Sequence, residues 1–90
     1  MQTGLDADIQ GRITTLVEEI LAANSLPGGV APDTHLADAG LTSMEMVNLM
    51  LGVEAAFDLM LPQSDITPEN FQSVETITRL VAQRLHAHAA

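Results

Sequence analysis

In the segment Leu36-Ala37-Asp38-Ala39-Gly40-Leu41-Thr42-Ser43-Met44-Glu45 a loop gives way to a helix. Thr42 and Glu45 have the S/T-x-x-E spacing of a capping box, in which each side chain bonds the other's backbone N–H. Beyond the box, Met46, Leu49, Met50, Val53 and Phe57 recur at helical spacing, which predicts a helix from about Ser43 to Phe57. Met44, Val47 and Leu51 make this helix apolar on its other sides too. Such a helix is either central in its bundle or carries a docking surface. Phe57, its only aromatic, is expected to close the bottom of the bundle against the first and last helices. If Thr42 is the N-cap, Ser43 is the first residue inside the helix and its hydroxyl has no capping duty. Unsatisfied N–H groups and the positive dipole end would favour a phosphate ester there, by about 0.3–1 kcal/mol on a surface. The local sequence leaves a second reading open, in which Ser43 is itself an N-cap and nothing more.

Upstream, Ile9, Ile13, Leu16, Val17, Ile20 and Leu21 form a first helical stripe, with Asp6 and Asp8 suited to the positive end of its dipole. Asn24 and Leu26-Pro27-Gly28-Gly29 are expected to end it. A loop from about Ser25 to Leu41 follows, pinned to the core by Leu36 and Leu41. Gly40 permits a tight approach of loop to helix. Downstream, Pro62 ends the segment after the second helix. Thr67-Pro68-Glu69-Asn70-Phe71 reads as one short helical turn, with Thr67 as N-cap and Pro68 at the first helical position. Val74, Ile77, Leu80, Val81 and Leu85 make a last helix capped by Ser73, with Arg79 and Arg84 in its second half. The fold expected is an all-α bundle of three long helices and one short one. It is a single domain over 1–90, with a core from about 6 to 86 and a frayed tail at 87–90. Met1 and an end soon after the last helix suit a discrete protein, and a domain cut from a larger synthase remains open.

Composition narrows the function. The chain has 90 residues, 47% of them apolar; that is enough for a compact core and too much for an acidic disordered tail. The two aromatics are both Phe, so the core is aliphatic. No cysteine is present, which removes disulfides, thiolate metal sites and cysteine nucleophiles. Any thiol chemistry must come from an added group. Twelve acids against three arginines give a formal charge of −9. Such a surface repels nucleic acid and anionic lipid and steers basic protein surfaces toward it. Residues Met1 to Asp8 have neither the basic start nor the apolar run of a signal peptide. The expectation is a cytoplasmic monomer.

The segment around Ser43 resembles the attachment motif of the acyl carrier protein family, usually Asp-Ser-Leu after a Leu-x-Asp-x-Gly approach. The match is Leu36, Asp38, Gly40, Leu41 and Ser43, continuing through Val47, Leu49, Glu54, Phe57-Asp58, Pro62 and Phe71-x-Ser73-Val74. It covers roughly Ile9 to Leu85 in the family's helix order. The resemblance implies a non-catalytic carrier. A phosphopantetheinyl transferase would move 4'-phosphopantetheine from coenzyme A onto Ser43, and a ligase or synthase would load an acyl or aminoacyl group on its thiol. It also implies partner docking on Thr42, Met44, Glu45, Val47, Asn48, Leu51 and Glu54.

The departures have consequences. Thr42 replaces the usual Asp, Met44 the usual Leu, and Asn48 a common Glu. Between Ser43 and Ala56 only Glu45 and Glu54 are acidic, so the exposed face leans on Met44, Val47 and Leu51. This argues for a specialised pathway over housekeeping fatty-acid synthesis. The strings Ala39-Gly40-Leu41-Thr42-Ser43, Leu49-Met50-Leu51-Gly52-Val53-Glu54 and Phe71-Gln72-Ser73-Val74-Glu75 are similar to a group of stand-alone carriers. That group receives amino acids from ligases related to aminoacyl-tRNA synthetases.

Other constellations are weaker. His86-x-His88 has no third ligand and reads as solvated. His35 reads as a surface loop histidine near enough in sequence to Ser43 to meet a phosphate. Glu18-Glu19 reads as solvated surface, and neither a metal site nor a catalytic triad is expected. The alternative function is a helical adaptor of the same fold that binds partners without an arm.

Overall fold

Ile9, Ile13, Val17 and Leu21 become one fully buried face of α1, Thr3–Ala23. The fold comes from a computed structural model that describes the backbone of residues 3–89 and the side chains of residues 7–85. Asp6 and the His86–His88 pair therefore lie outside the described side chains. Helix α2 spans Ser43–Phe57 and α3 spans Val74–Ala89, with a short 3-10 turn at Gln63–Asp65 between them. Leu49 and Val53 of α2 and Val74, Ile77, Leu80 and Val81 of α3 complete an aliphatic core. This is the expected all-α bundle of three long helices and one short element.

The loop before α2 is pinned as expected, since Leu36 and Leu41 are both buried. Backbone bonds from Leu36 N–H to Gln72 O (2.8 Å) and from Glu75 N–H to Pro32 O (2.8 Å) tie it to the start of α3. Ser73 caps α3, accepting from Thr76 N–H at 3.3 Å, while the Thr76 hydroxyl accepts from Ser73 N–H at 3.0 Å.

Several local expectations are corrected. The end of α1 is not made by its Pro-Gly-Gly segment. Ser25 takes a left-handed conformation (φ 57°), with bonds from Ser25 N–H to Ala22 O (3.1 Å) and from Leu26 N–H to Leu21 O (2.8 Å). That is a Schellman ending with serine where glycine is usual. The short helix expected at Thr67–Phe71 is a capped turn instead. Thr67 Oγ1 accepts from Asn70 N–H at 3.1 Å and Thr67 O from Phe71 N–H at 3.1 Å. Propagation stops there because Ser73 must stay outside the helix to cap α3.

Helix α3 reaches Ala89, past the point where the tail is expected to fray, as the high helix propensity of alanine allows. Arg79 thus falls in its first half, in an exposed 4.0 Å pair with Glu75. Arg84 reaches back to Asp65, with Nε 2.6 Å from Oδ2. Phe57 is only partly buried; the exposed Arg12 guanidinium lies 4.5 Å over its ring and donates to Ala56 O, so a surface side chain, and not the core, covers that face of the ring. Phe71 is the buried aromatic. Glu18 is not free surface either: its carboxylate accepts from Gly29 N–H (2.9 Å) and Val30 N–H (3.0 Å). Glu19 is exposed as expected.

Candidate functional site

The sequence places Ser43 at a helix start, and the geometry shows what holds that start together. Gly40 (φ +110°) turns the chain, and a Cβ there would stand 2.9 Å from Leu26 Cδ1. Thr42 then sits in extended conformation as the N-cap (φ −84°, ψ 173°) with both halves of the capping box formed. Glu45 N–H donates to Thr42 Oγ1 at 3.4 Å, and Thr42 N–H donates to Glu45 Oε1 at 2.7 Å. The Thr42 hydroxyl also donates to Glu45 Oε1, at 2.8 Å. These bonds, the one from the Thr42 backbone first, hold the Glu45 carboxyl below its ordinary range against a small opposing effect of burial. Capping therefore falls to Thr42 and Glu45. Ser43, exposed and first in α2, is left for other chemistry.

The other residues expected to meet partners lie around the same helix. Met44, Val47 and Leu51 are 76%, 51% and 53% exposed. Spaced i, i+3, i+7, they form one apolar stripe that begins beside Ser43. Thr42 and Asn48 are exposed, while Glu45 and Glu54 are half-buried. Glu54 also has a structural duty, since its Oε2 accepts from Leu61 N–H at 2.8 Å. Met46 and Met50 pack against the core, so the methionines of α2 divide between packing and surface.

On the inner side of α2 a groove of about 450 Å³ opens at Ser43, walled by Met46, Val47, Met50, Ile66 and Phe71. His35, Thr67 and Gln72 supply its polar lining. His35 is exposed and shares this groove with Ser43, so sequence proximity here is also spatial proximity. Two exposed apolar residues were not singled out in the sequence, Ile66 (40%) and Met60 (82%). Both lie outside the α-helices, where no period distinguishes an inward from an outward side chain.

This site fits a phosphopantetheine group. The exposed hydroxyl is released from capping, the N–H groups of a helix start lie beside it, and a mixed apolar and polar groove begins at its side.

Comparison with known proteins agrees. Residues 11–83 match the family described as the phosphopantetheine attachment site. Aminoacyl carrier protein 1 of Bradyrhizobium diazoefficiens is 56% identical over 85 residues, covering 94% of each chain. Aminoacyl carrier protein 2 of the same organism is 47% identical over 78 residues, covering 87% of this chain and 88% of that one. Among solved structures, a Bradyrhizobium japonicum carrier protein is similar. It was determined with its glycine:[carrier protein] ligase and an analogue of glycyl adenylate. The TM-score is 0.72 at 60% identity, over 83% of this chain and 97% of the other. A glycylated carrier protein with the same ligase superposes with a TM-score of 0.70 at 61% identity, over 80% and 97% of the two chains. With the helix order, the capped start of α2 and a match across most of its length, the chain belongs to the phosphopantetheine-attachment family of non-catalytic carrier proteins.

Proposed function

We propose that Ser43 bears the arm and that the protein is an aminoacyl carrier, loaded with glycine by a dedicated ligase. The observation that carries this reading is the division of labour at the start of α2. Thr42 and Glu45 complete the cap by themselves, and the serine beside them is exposed and lies within the stretch, residues 11–83, that matches the family. Likeness in sequence to carriers named for aminoacyl cargo, and in structure to a glycylated carrier, supports the choice of cargo. The arm supplies a terminal thiol for a thioester, chemistry that a chain without cysteine cannot provide itself. The protein's own part is to orient Ser43, keep its surroundings open to the transferase, and present a face to the ligase.

That face is the stripe of Met44, Val47 and Leu51, with Thr42, Glu45, Asn48 and Glu54 at its edges. Apolar anchors carry more affinity than rim charges, which chiefly set encounter rate. The low acid content of α2 thus suits a specialised partner. We place the protein in the cytoplasm, where coenzyme A is available to donate the arm; no helix among the described residues is long and apolar enough to cross a membrane.

The test is to incubate the holo protein with ATP, the glycine:[carrier protein] ligase and each amino acid in turn, following intact mass. Glycylation that hydroxylamine reverses is expected. Loading with acyl groups by a fatty-acid synthase and none by the ligase would overturn the choice of cargo.

A further inference from the structure

His35, in the loop before α2, and Ser43, at the start of α2, line one groove of about 450 Å³. We propose that His35 is the docking group for the phosphodiester at the root of the arm, and that its imidazolium sets the direction in which the arm leaves Ser43. The proposal rests on the reading that Ser43 bears phosphopantetheine, because that ester is what brings a phosphate to the groove.

The lining of the groove is selective in charge. The chain has twelve acids and three arginines, yet neither a carboxylate nor an arginine lines this groove, and His35 is its one ionisable group. The groove at the far end of α2 differs, since Glu54, Asp58 and Arg84 all line it. On a surface this acidic, an acid-free hollow is where a phosphodiester meets the least repulsion. Both nitrogens of an imidazolium donate, and a charged donor bonds a phosphate oxygen more strongly than a neutral one. Thr67 and Gln72, on the other wall, add only neutral donors.

The ring stands on a fixed backbone. His35 O accepts from Asp38 N–H (3.0 Å) and Ala39 N–H (3.1 Å). The next residue, buried Leu36, donates its N–H to Gln72 O at 2.8 Å. The Thr42–Glu45 box holds the other end of the contact, at Ser43. Both ends are thus placed before the arm arrives, which lowers the ordering cost of the contact. The surrounding acids do not face the ring from within the groove. Exposed Asp33 and Asp38 flank His35 in its loop, and exposed Glu69 follows Pro68, but none of the three lines the groove. Glu45 of α2 is held by Thr42, Asp65 by Arg84 and Glu75 of α3 by Arg79.

The consequence is directional. Met44 and Leu51 of the exposed stripe lie outside the lining of this groove, and only Val47 is common to both. An arm tied by its phosphate to His35 starts along the inner side of α2 and leaves most of that stripe clear for the ligase. The charge of the ring governs the tie. Histidine changes charge between about pH 5 and 8, whereas a phosphodiester stays anionic and ordinary carboxylates stay ionised over that range.

The experiment is a phosphorus NMR titration of the holo forms of wild type, His35→Gln and His35→Arg between about pH 5 and 8. The wild-type phosphodiester resonance should shift in one step across that range, as the phosphate senses the charge of the ring. Salt at about 1 M should shrink the step, because the contact is exposed and screened. His35→Gln keeps a donor without a charge and should lose the step. His35→Arg is a cation throughout the range and should also titrate flat, with its resonance displaced from that of the glutamine variant. In wild type, conversion from apo to holo should shift the ring protons of His35, a readout that needs no substitution. A wild-type phosphate resonance that stays flat would overturn the contact and leave the carrier reading standing. So would a step that persists in His35→Gln, which retains His86 and His88. Ring resonances identical in apo and holo wild type would overturn it equally, even if a variant failed to fold. A wild type that never acquires the arm would remove the Ser43 reading and this contact together.

Discussion

Replacing Gly40 by alanine tests the loop that delivers Ser43 to its helix. Gly40 has φ +110°, outside the left-handed well that asparagine or serine can occupy, so any L side chain is strained there. Backbone strain of this kind costs about 1–3 kcal/mol. The added methyl meets Leu26 Cδ1 at 2.9 Å and Cδ2 at 3.3 Å. Those atoms are the free end of a half-buried side chain, so a rotamer change absorbs much of the overlap and the backbone dominates. The expected loss is about 2 kcal/mol, out of the roughly 5–15 kcal/mol typical of a domain. With two Phe and no Trp or Tyr, the assay is urea unfolding followed by far-ultraviolet circular dichroism. The midpoint should fall by about 1–2 M. Transfer of phosphopantetheine should slow as well, because the same turn aims the start of α2. An unchanged midpoint would refute the strain attributed to this position.

Three further substitutions probe separate parts of the structure. Gly52→Ala in the middle of α2 should stabilise by about 0.5–1 kcal/mol in the same assay, because its Cβ would meet Leu16 Cδ2 at an ordinary 3.4 Å; destabilisation would show a tighter α1–α2 contact. Phe71→Ala should cost about 3–5 kcal/mol, as expected for a buried aromatic, and Phe57→Ala less than half of that; equal losses in denaturant titration would contradict the half-buried placement under Arg12. Glu45→Gln keeps the capping geometry but cannot ionise. The folded-state pKa of Glu45 is depressed, so its contribution is present above its ordinary value of 4.5 and lost as pH falls through the lower folded value. The stability difference between wild type and this variant should therefore shrink as pH drops below about 4.5; a difference that grows with acid would reverse the assignment.

Much of this fold is legible in the sequence because its signals are local. The helical period of Ile9, Ile13, Val17 and Leu21 and of Val74, Ile77 and Val81 specifies buried faces. The Thr42–Glu45 box fixes the start of α2 to the residue. The surplus of apolar residues on α2 also translates directly into the exposed Met44, Val47 and Leu51. What local pattern does not carry is pairing across the chain. Glu18 finds Gly29 and Val30, Glu54 finds Leu61 and Asp65 finds Arg84 only once the helices are packed. Periodicity likewise places Phe57 on the inner side of α2 without revealing that Arg12 covers it. Two helix ends, at Ser25 and Asp58, use left-handed residues other than glycine, and neither has a reliable sequence signature. The capping signal at Thr67 is real, but it opens a turn that the needs of the next helix cut short. For the site, Ser43 and its cap are visible from sequence, whereas the groove that Ile66 and Phe71 wall beside it appears only once the chain is packed.

The identity of the arm-bearing residue can be settled by mass. Wild type and Ser43→Ala, each incubated with coenzyme A and a broad-specificity phosphopantetheinyl transferase, are compared by intact mass spectrometry and circular dichroism. Because Thr42 and Glu45 cap α2 without help from Ser43, the variant should keep wild-type helicity and melting temperature. Wild type should gain one phosphopantetheine and the variant none. A variant that still acquires the group, or a wild type that never does, would contradict the assignment of Ser43.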